Sequence, residues 1–152
     1  MRLIMIELVE KDINCEDAKM LIGELNHVLE KITGASGAKS FKNDDVKNER
    51  SVFLIAYVDG IPMGCGAIKE ISADIAEVKR VYAKPNHIGI GNAILTELEK
   101  RAKALRFSKL ILETRKVNQN AVSFYRKNNY EVCDNYGKYV NRPEAICFQK
   151  LL

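Results

Sequence analysis

The sequence contains no tryptophan, three prolines and two histidines among its 152 residues, and no apolar run near the roughly 20 residues that a helical bilayer span requires. Helical membrane spans are thereby excluded. Met1 to Val9 is too short and too soon broken by charge for a secretory leader, so a cytoplasmic protein without a membrane partner is expected. The four cysteines, Cys15, Cys65, Cys133 and Cys147, form no Cys-x-x-Cys pair, and His27 and His87 cannot complete a zinc set with them. Buried free thiols and no metal are expected. Nine glycines and few prolines in a 47% hydrophobic, 29% charged chain exclude collagen-like and disordered classes. Basic residues are not interleaved with aromatics, and a net charge of +4 is modest, which argues against nucleic acid as a partner.

The charge that is present is uneven. Residues 1–76 hold 9 Lys/Arg against 13 Asp/Glu, and residues 77–152 hold 15 against 7, so the halves carry −4 and +8. The second half is suited to an anionic ligand or to a solvated surface, and charge alone does not choose.

Apolar periodicity predicts a strand over Arg2 to Glu10 and then a helix capped by Asn14, running through Leu21, Leu25 and Ile32 and stopped by Gly34. A small, polar stretch follows to Arg50, with Phe41 its one aromatic and room for a short helix near Asp44 to Asn48. Three strands are expected next, Ser51 to Val58, Ile61 to Ile71 and Asp74 to Tyr82, the first two joined by an Asp59-Gly60 hairpin turn. A helix over Ala93 to Leu105 with Glu97/Arg101 and Glu99/Lys103 pairs, a strand over Lys109 to Thr114, a helix over Asn120 to Asn128 and strands near Tyr130 to Cys133 and Ala145 to Leu151 complete the chain. The order β-α-loop-β-β-β-α-β-α-β-β describes one α/β domain over residues 1–152 with a mixed sheet, because a helical crossover makes its flanking strands parallel.

One segment points to chemistry. From Val81 and Tyr82 the predicted strand runs through Ala83, Lys84, Pro85, Asn86, His87 and Ile88 to Gly89-Ile90-Gly91-Asn92, where the next helix begins. Glycines there let backbone amides approach an anion at a helix N-terminus, where the dipole favours negative charge. No Gly-Lys-Ser/Thr follows for a P-loop, and Ile94 stands where a dinucleotide-binding turn has its third glycine.

Asn86-His87-Ile88-Gly89-Ile90-Gly91 resembles the acetyl-CoA signature Arg/Gln-x-x-Gly-x-Gly/Ala of the GCN5-related N-acetyltransferase (GNAT) family. Downstream, Asn118 to Tyr125 is similar to the family's Asn-x-x-Ala-x-x-Leu-Tyr stretch, and Gly64 to Ala67, Ala76 to Tyr82, Thr33 to Ser36 and Arg142 to Phe148 extend the resemblance over most of the chain. The resemblance implies a GNAT-like fold and an enzyme that moves an acetyl group from acetyl-CoA to a primary amine, as a monomer or homodimer. It further implies that the amides of His87, Ile88, Gly89, Ile90, Gly91 and Asn92 hold the pyrophosphate, that the strand of Val81, Tyr82 and Ala83 pairs with pantetheine, and that Asn118 bonds the pantetheine arm. Asn86 departs from the signature, being a short neutral amide where Arg or Gln is usual, with Lys84 a nearby cation.

Two side chains are catalytic candidates by the same resemblance. Tyr125 would face the departing sulfur; a phenol of pKa about 10 is too weak to protonate a thiolate of about 8.5 outright, so it stabilises by hydrogen bonding, or else it packs beside Phe124. Glu77 is the candidate base, or it forms a strand-end ion pair with Lys79 or another cation. An α-amine of pKa about 8 is far easier to neutralise than a lysine side chain, which favours amino acids, peptide N-termini and weak amines as acceptors. Tyr136, Tyr139 and Arg142 would border the acceptor, while His27 reads as structural or surface and the acidic Asp44, Asp45 and Glu49 read as a solvated loop in preference to an attractor of a cationic acceptor. A macromolecular acceptor, either a protein N-terminus or aminoacyl-tRNA, and a non-catalytic acyl-CoA-binding module stand as alternatives.

Overall fold

A seven-stranded sheet in the order β1-β2-β3-β4-β5-β7-β6 forms the centre of the computed structural model, which describes residues 3–38 and 41–152. Its strands are β1 (Ile6–Glu10), β2 (Val52–Val58), β3 (Ile61–Glu70), β4 (Ile75–Ala83), β5 (Lys109–Arg115), β6 (Glu131–Cys133) and β7 (Ala145–Leu151), and its helices α1 (Glu16–Thr33), α2 (Ile90–Ala104) and α3 (Gln119–Lys127). Every pairing is antiparallel except β4 with β5, which α2 joins as a crossover. The element order is the one expected.

Boundaries moved where partners decide them. β1 starts at Ile6 because its register partner there is Val58, the last residue of β2, so Leu3, Ile4 and Met5 have no strand to pair with and are exposed. Arg2, at the head of the predicted strand, and Lys39 and Ser40, in the loop after α1, lie outside the described residues. Asn14 does not cap α1. Its amide bonds the Asp12 carboxylate at 2.8 Å and its side-chain oxygen accepts from Asn43, which leaves Cys15 at the cap position without a side-chain bond. Gly34 ends α1 in the left-handed conformation, as its position predicts, and Asn43–Val46 makes one 3₁₀ turn that begins one residue before the expected short helix and ends two residues short of it. Glu97 pairs with Arg101 at 2.9 Å; Glu99 instead takes the Tyr130 hydroxyl and Lys150, so the Glu99/Lys103 pair does not form.

The two faces of the sheet differ. On one, α2 and α3 bury Ile94, Leu95, Leu98 and Tyr125 against Leu54, Ile68, Val78, Leu112 and Phe148. On the other, α1 covers Phe53, Ile55 and Ala67 through Leu21, and the segment after β6 covers Ala145 and Cys147 through Tyr139. α2 lies so close to β3 that a Cβ on Gly64 would stand 2.6 Å from the Tyr82 carbonyl oxygen and 2.8 Å from Ile94 Cδ1. Gly64→Ala is therefore expected to destabilise the fold by about 1 to 3 kcal/mol, as overpacking does, measured by urea denaturation. An unchanged midpoint would mean that β3 and α2 can separate freely.

Candidate active site

β4 and β5 begin as a parallel pair and then part. Their register covers Ile75 to Glu77 against Lys109 to Ile111 and stops there. The cause is a bulge in β4: pairing with β3 shifts between Cys65 and Ala67, and Arg80 sits at φ 55, a left-handed conformation that bends the strand. Beyond the bulge β4 stays attached to β3, through Cys65↔Tyr82, Gly64↔Ala83 and the Lys84 amide to the Met63 carbonyl at 2.8 Å. By strand alternation the Val81 and Ala83 backbone groups face the other edge, which β5 has left. A strand edge is thus open inside the fold.

The opening is one end of a cleft of about 470 Å³. Lys79, Arg80, Val81, Tyr82 and Ala83 line it from β4, and Glu113, Thr114 and Arg115 from β5. Asn118 and Tyr125 stand at the α3 side, and Leu25, Val28, Leu29 and Ile32 of α1 close the other.

At the end of β4 the loop turns into α2. Gly89 has φ 77, which supplies the turn, and the amides of Ile88, Gly89 and Ile90 converge on the Asn86 side-chain oxygen at 3.0, 3.1 and 3.3 Å. The Asn86 amide group in turn donates to the Lys84 carbonyl at 2.7 Å. These bonds make Asn86 the organiser of the loop, a role that Arg, having no acceptor, could not fill. They also occupy three of the amides expected to be open, leaving Gly91 and Asn92 in the first turn of α2, where no helical carbonyl is available. Gly91 owes its identity to packing: a Cβ would meet the Phe124 ring at 3.3 Å. His87 is exposed, Asn92 accepts from Asn128, and Lys84 turns toward Glu24 of α1 at 3.8 Å. The Tyr82 hydroxyl also reaches α1, donating to Glu24 at 2.8 Å.

Asn118 caps α3 by accepting from the Ala121 amide at 3.3 Å, which leaves its NH₂ free to donate. Tyr125 is 8% exposed and packs at the edge of the Phe124 and Tyr130 rings. Its hydroxyl takes no hydrogen bond from a described residue and is not sealed from solvent, so it opens onto the cleft. Burial raises its pKa above the ordinary phenol value.

Glu77 is 4% exposed and lies behind the cleft wall. Its carboxylate accepts from the Tyr136 hydroxyl at 2.5 Å and pairs with Lys79 at 3.6 Å; Lys79 donates onward to the Tyr139 hydroxyl at 2.9 Å. Tyr136 and Tyr139 therefore do gather beside β4, whereas Arg142 is exposed. Sequence reading did not single out Glu113. This carboxylate lines the cleft, accepts from Arg115 at 2.6 Å, and is lifted above its ordinary value of 4.5 by burial, although Arg115 and Lys79 pull it down. Its signal was the alternation on a short strand that puts Leu110 and Leu112 on one face and Ile111, Glu113 and Arg115 on the other.

Comparison with known proteins decides the family. Residues 23–130 match the model of the acetyltransferase (GNAT) family. The chain belongs to the GNAT family of acetyltransferases. An IAA acetyltransferase of Azospirillum brasilense is 33% identical to it over 103 residues, covering 66% of this chain and 67% of that protein. Among solved structures, an acyl-CoA N-acyltransferase from Klebsiella pneumoniae superposes with a TM-score of 0.82 at 24% identity over 97% of this chain and 98% of the other. The PaiA N-acetyltransferase of Thermoplasma acidophilum, solved in complex with coenzyme A, does so with 0.71 at 24% over 97% and 99%. The mixed sheet with three helices is thus the GNAT fold. Among the described residues no three His, Cys, Asp or Glu side chains come together as a metal set.

Proposed function

We propose that this GNAT protein is an acetyl-CoA-dependent N-acetyltransferase acting on the primary amine of a small molecule, by direct attack with both substrates in the cleft, and that residues 1–152 fold as a single acetyltransferase domain. The observation that carries this reading is the open edge of β4 between an amide-rich helix start and a closed apolar wall. Its parts suit acetyl-CoA. The Gly91 and Asn92 amides, left open in the first turn of α2 beside the loop that Asn86 organises, can donate to phosphate oxygens, and the free Val81 and Ala83 groups can take up an amide-bearing arm as an added strand. Asn118 donates to that arm. When bound, acetyl-CoA supplies the activated thioester whose carbon–sulfur bond breaks as the carbon–nitrogen bond forms.

The residues divide the remaining work. Glu113 takes the proton of the amine, because it lines the cleft and its raised pKa brings it nearer to an ammonium than an ordinary carboxylate. Glu77, engaged by Tyr136 and Lys79, fixes the floor beneath it. Tyr125 donates a hydrogen bond to the sulfur as it gains charge; a phenol made weaker by burial keeps its proton and stabilises the thiolate by hydrogen bonding.

Tyr125→Phe retains the ring and loses only that bond, so kcat should fall roughly 10- to 100-fold with the melting temperature nearly unchanged. A large drop in melting temperature with normal turnover would instead make the hydroxyl a packing group. The general test is a panel of amino acids, peptides and polyamines with acetyl-CoA, read by thiol release and by mass spectrometry of the acceptor. Acetylation of small amines supports the reading, and acetylation confined to proteins or tRNA overturns it.

A further inference from the structure

Among the described residues, three cations line the cleft: Lys79, Arg80 and Arg115. Lys79 is matched by Glu77 and Arg115 by Glu113. Arg80 is different. Its guanidinium donates to the side-chain oxygen of Asn26 and to the Ser36 carbonyl at 3.3 Å, both neutral, and among the described residues no carboxylate pairs with it. The chain holds it there at the bulge in a left-handed conformation that a long side chain rarely adopts, so its placement is over-determined by α1 on one side and β3 on the other, where Cys65 donates to its carbonyl at 3.3 Å. A half-buried cation with only neutral partners favours an incoming anion, since the cost of its desolvation is already met and its remaining N–H groups have a carboxylate's two oxygens still to gain.

The rest of the cleft says what carries that anion. The wall beside Arg80 is apolar: Leu25, Val28, Leu29 and Ile32 face it from α1, and Val28 remains 38% exposed, open to a ligand. Across the opening stands the carboxylate of Glu113. One wall thus offers a cation and an apolar surface, and the other an anion suited to an ammonium.

We infer that the acceptor is a free amino acid with an apolar side chain, its carboxylate bound by Arg80, its side chain laid on α1 and its ammonium directed to Glu113. This rests on the acetyl-transfer reading above and narrows it: a peptide N-terminus, whose adjoining carbonyl is a neutral amide, would leave Arg80 unpaired, and so would a polyamine. The proton balance is unchanged. The ammonium gives one proton to Glu113 and a second to the amide-forming step's leaving thiolate by way of solvent, and the products are the N-acetyl amino acid and CoA thiol.

The test compares matched acceptors on the intact protein: leucine and phenylalanine against leucinamide, isopentylamine and 2-phenylethylamine, all with saturating acetyl-CoA. For the wild type, KM should be at least about 10-fold lower for each amino acid than for its partner without the carboxylate, the size of a charge-assisted bond. Arg80→Gln should erase that preference by raising KM for the amino acids about 10- to 100-fold while changing KM for the amines little, and Arg80→Lys should restore part of it. The wild-type comparison decides even where Arg80→Gln does not fold. Equal or better use of the amide and amines, or of a peptide N-terminus, overturns the inference while leaving acetyl transfer intact. Acetylation of none of these acceptors, with acetyl-CoA bound, overturns this inference, and the small-amine reading falls with it only when the wider panel of peptides and polyamines is also left unacetylated.

Discussion

Glu113→Gln should lower kcat by roughly 10²- to 10⁴-fold and leave acetyl-CoA binding close to that of the wild type, because it removes a proton acceptor and preserves shape. The pH profile carries the sign. Only the carboxylate form accepts a proton, so activity is present above the Glu113 pKa and is lost as pH falls through it. Because burial raises that pKa above 4.5, the acid limb should lie at higher pH than an ordinary carboxylate would place it, and Glu113→Gln should lack this limb. Retention of both turnover and the limb would move the base elsewhere, with Glu77 the first alternative.

Glu77→Ala should be the most destabilising single change at the site. The substitution strands the Lys79 ammonium, whose side chain is 10% exposed, and deprives the Tyr136 hydroxyl of its acceptor at 2.5 Å. Breaking a buried pair by removing one partner costs about 3 to 5 kcal/mol, mainly because the other charge is left uncompensated. Urea denaturation of Glu77→Ala and Glu77→Gln measures it. Gln keeps an oxygen for Tyr136 and should lose less, and where it folds its kcat should lie within about 10-fold of the wild type, below the range expected for a lost base. A loss under about 1 kcal/mol for Ala would show that the cluster is solvated and that Glu77 is free for chemistry.

The element order was legible because each signal was local: 3.6-residue periodicity in α1 and α2, the Asp59-Gly60 turn, both residues of which have positive φ, and the glycine after α1. The turn from β4 into α2 was legible for the same reason, as a strand, glycines and a helix in sequence. What sequence could not supply was pairing between distant segments. Asn14 looks like a helix cap until Asn43, 29 residues away, takes its side chain. Glu99 has a good local partner in Lys103 and yet goes to Tyr130 and Lys150, which the fold brings to it. The bulge that opens β4 gave no local sign, since Arg80 is neither glycine nor asparagine, and without the opening neither Glu113 nor Arg80 stands out from other charged strand residues. Asn86 was legible as a departure from Arg, but its meaning was not: the carboxamide oxygen that gathers three amides is a property of the turn and not of the residue type.

The most direct test of acetyl transfer in this cleft is a stoichiometry. Purified protein, acetyl-CoA and leucine are incubated, and CoA thiol and N-acetyl-leucine are counted in the same sample for the wild type and Glu113→Gln. One amide formed per thiol released by the wild type, with both falling together in Glu113→Gln, is the expected result. Thiol release without amide, or tight binding of acetyl-CoA with neither product from any amine, would contradict it.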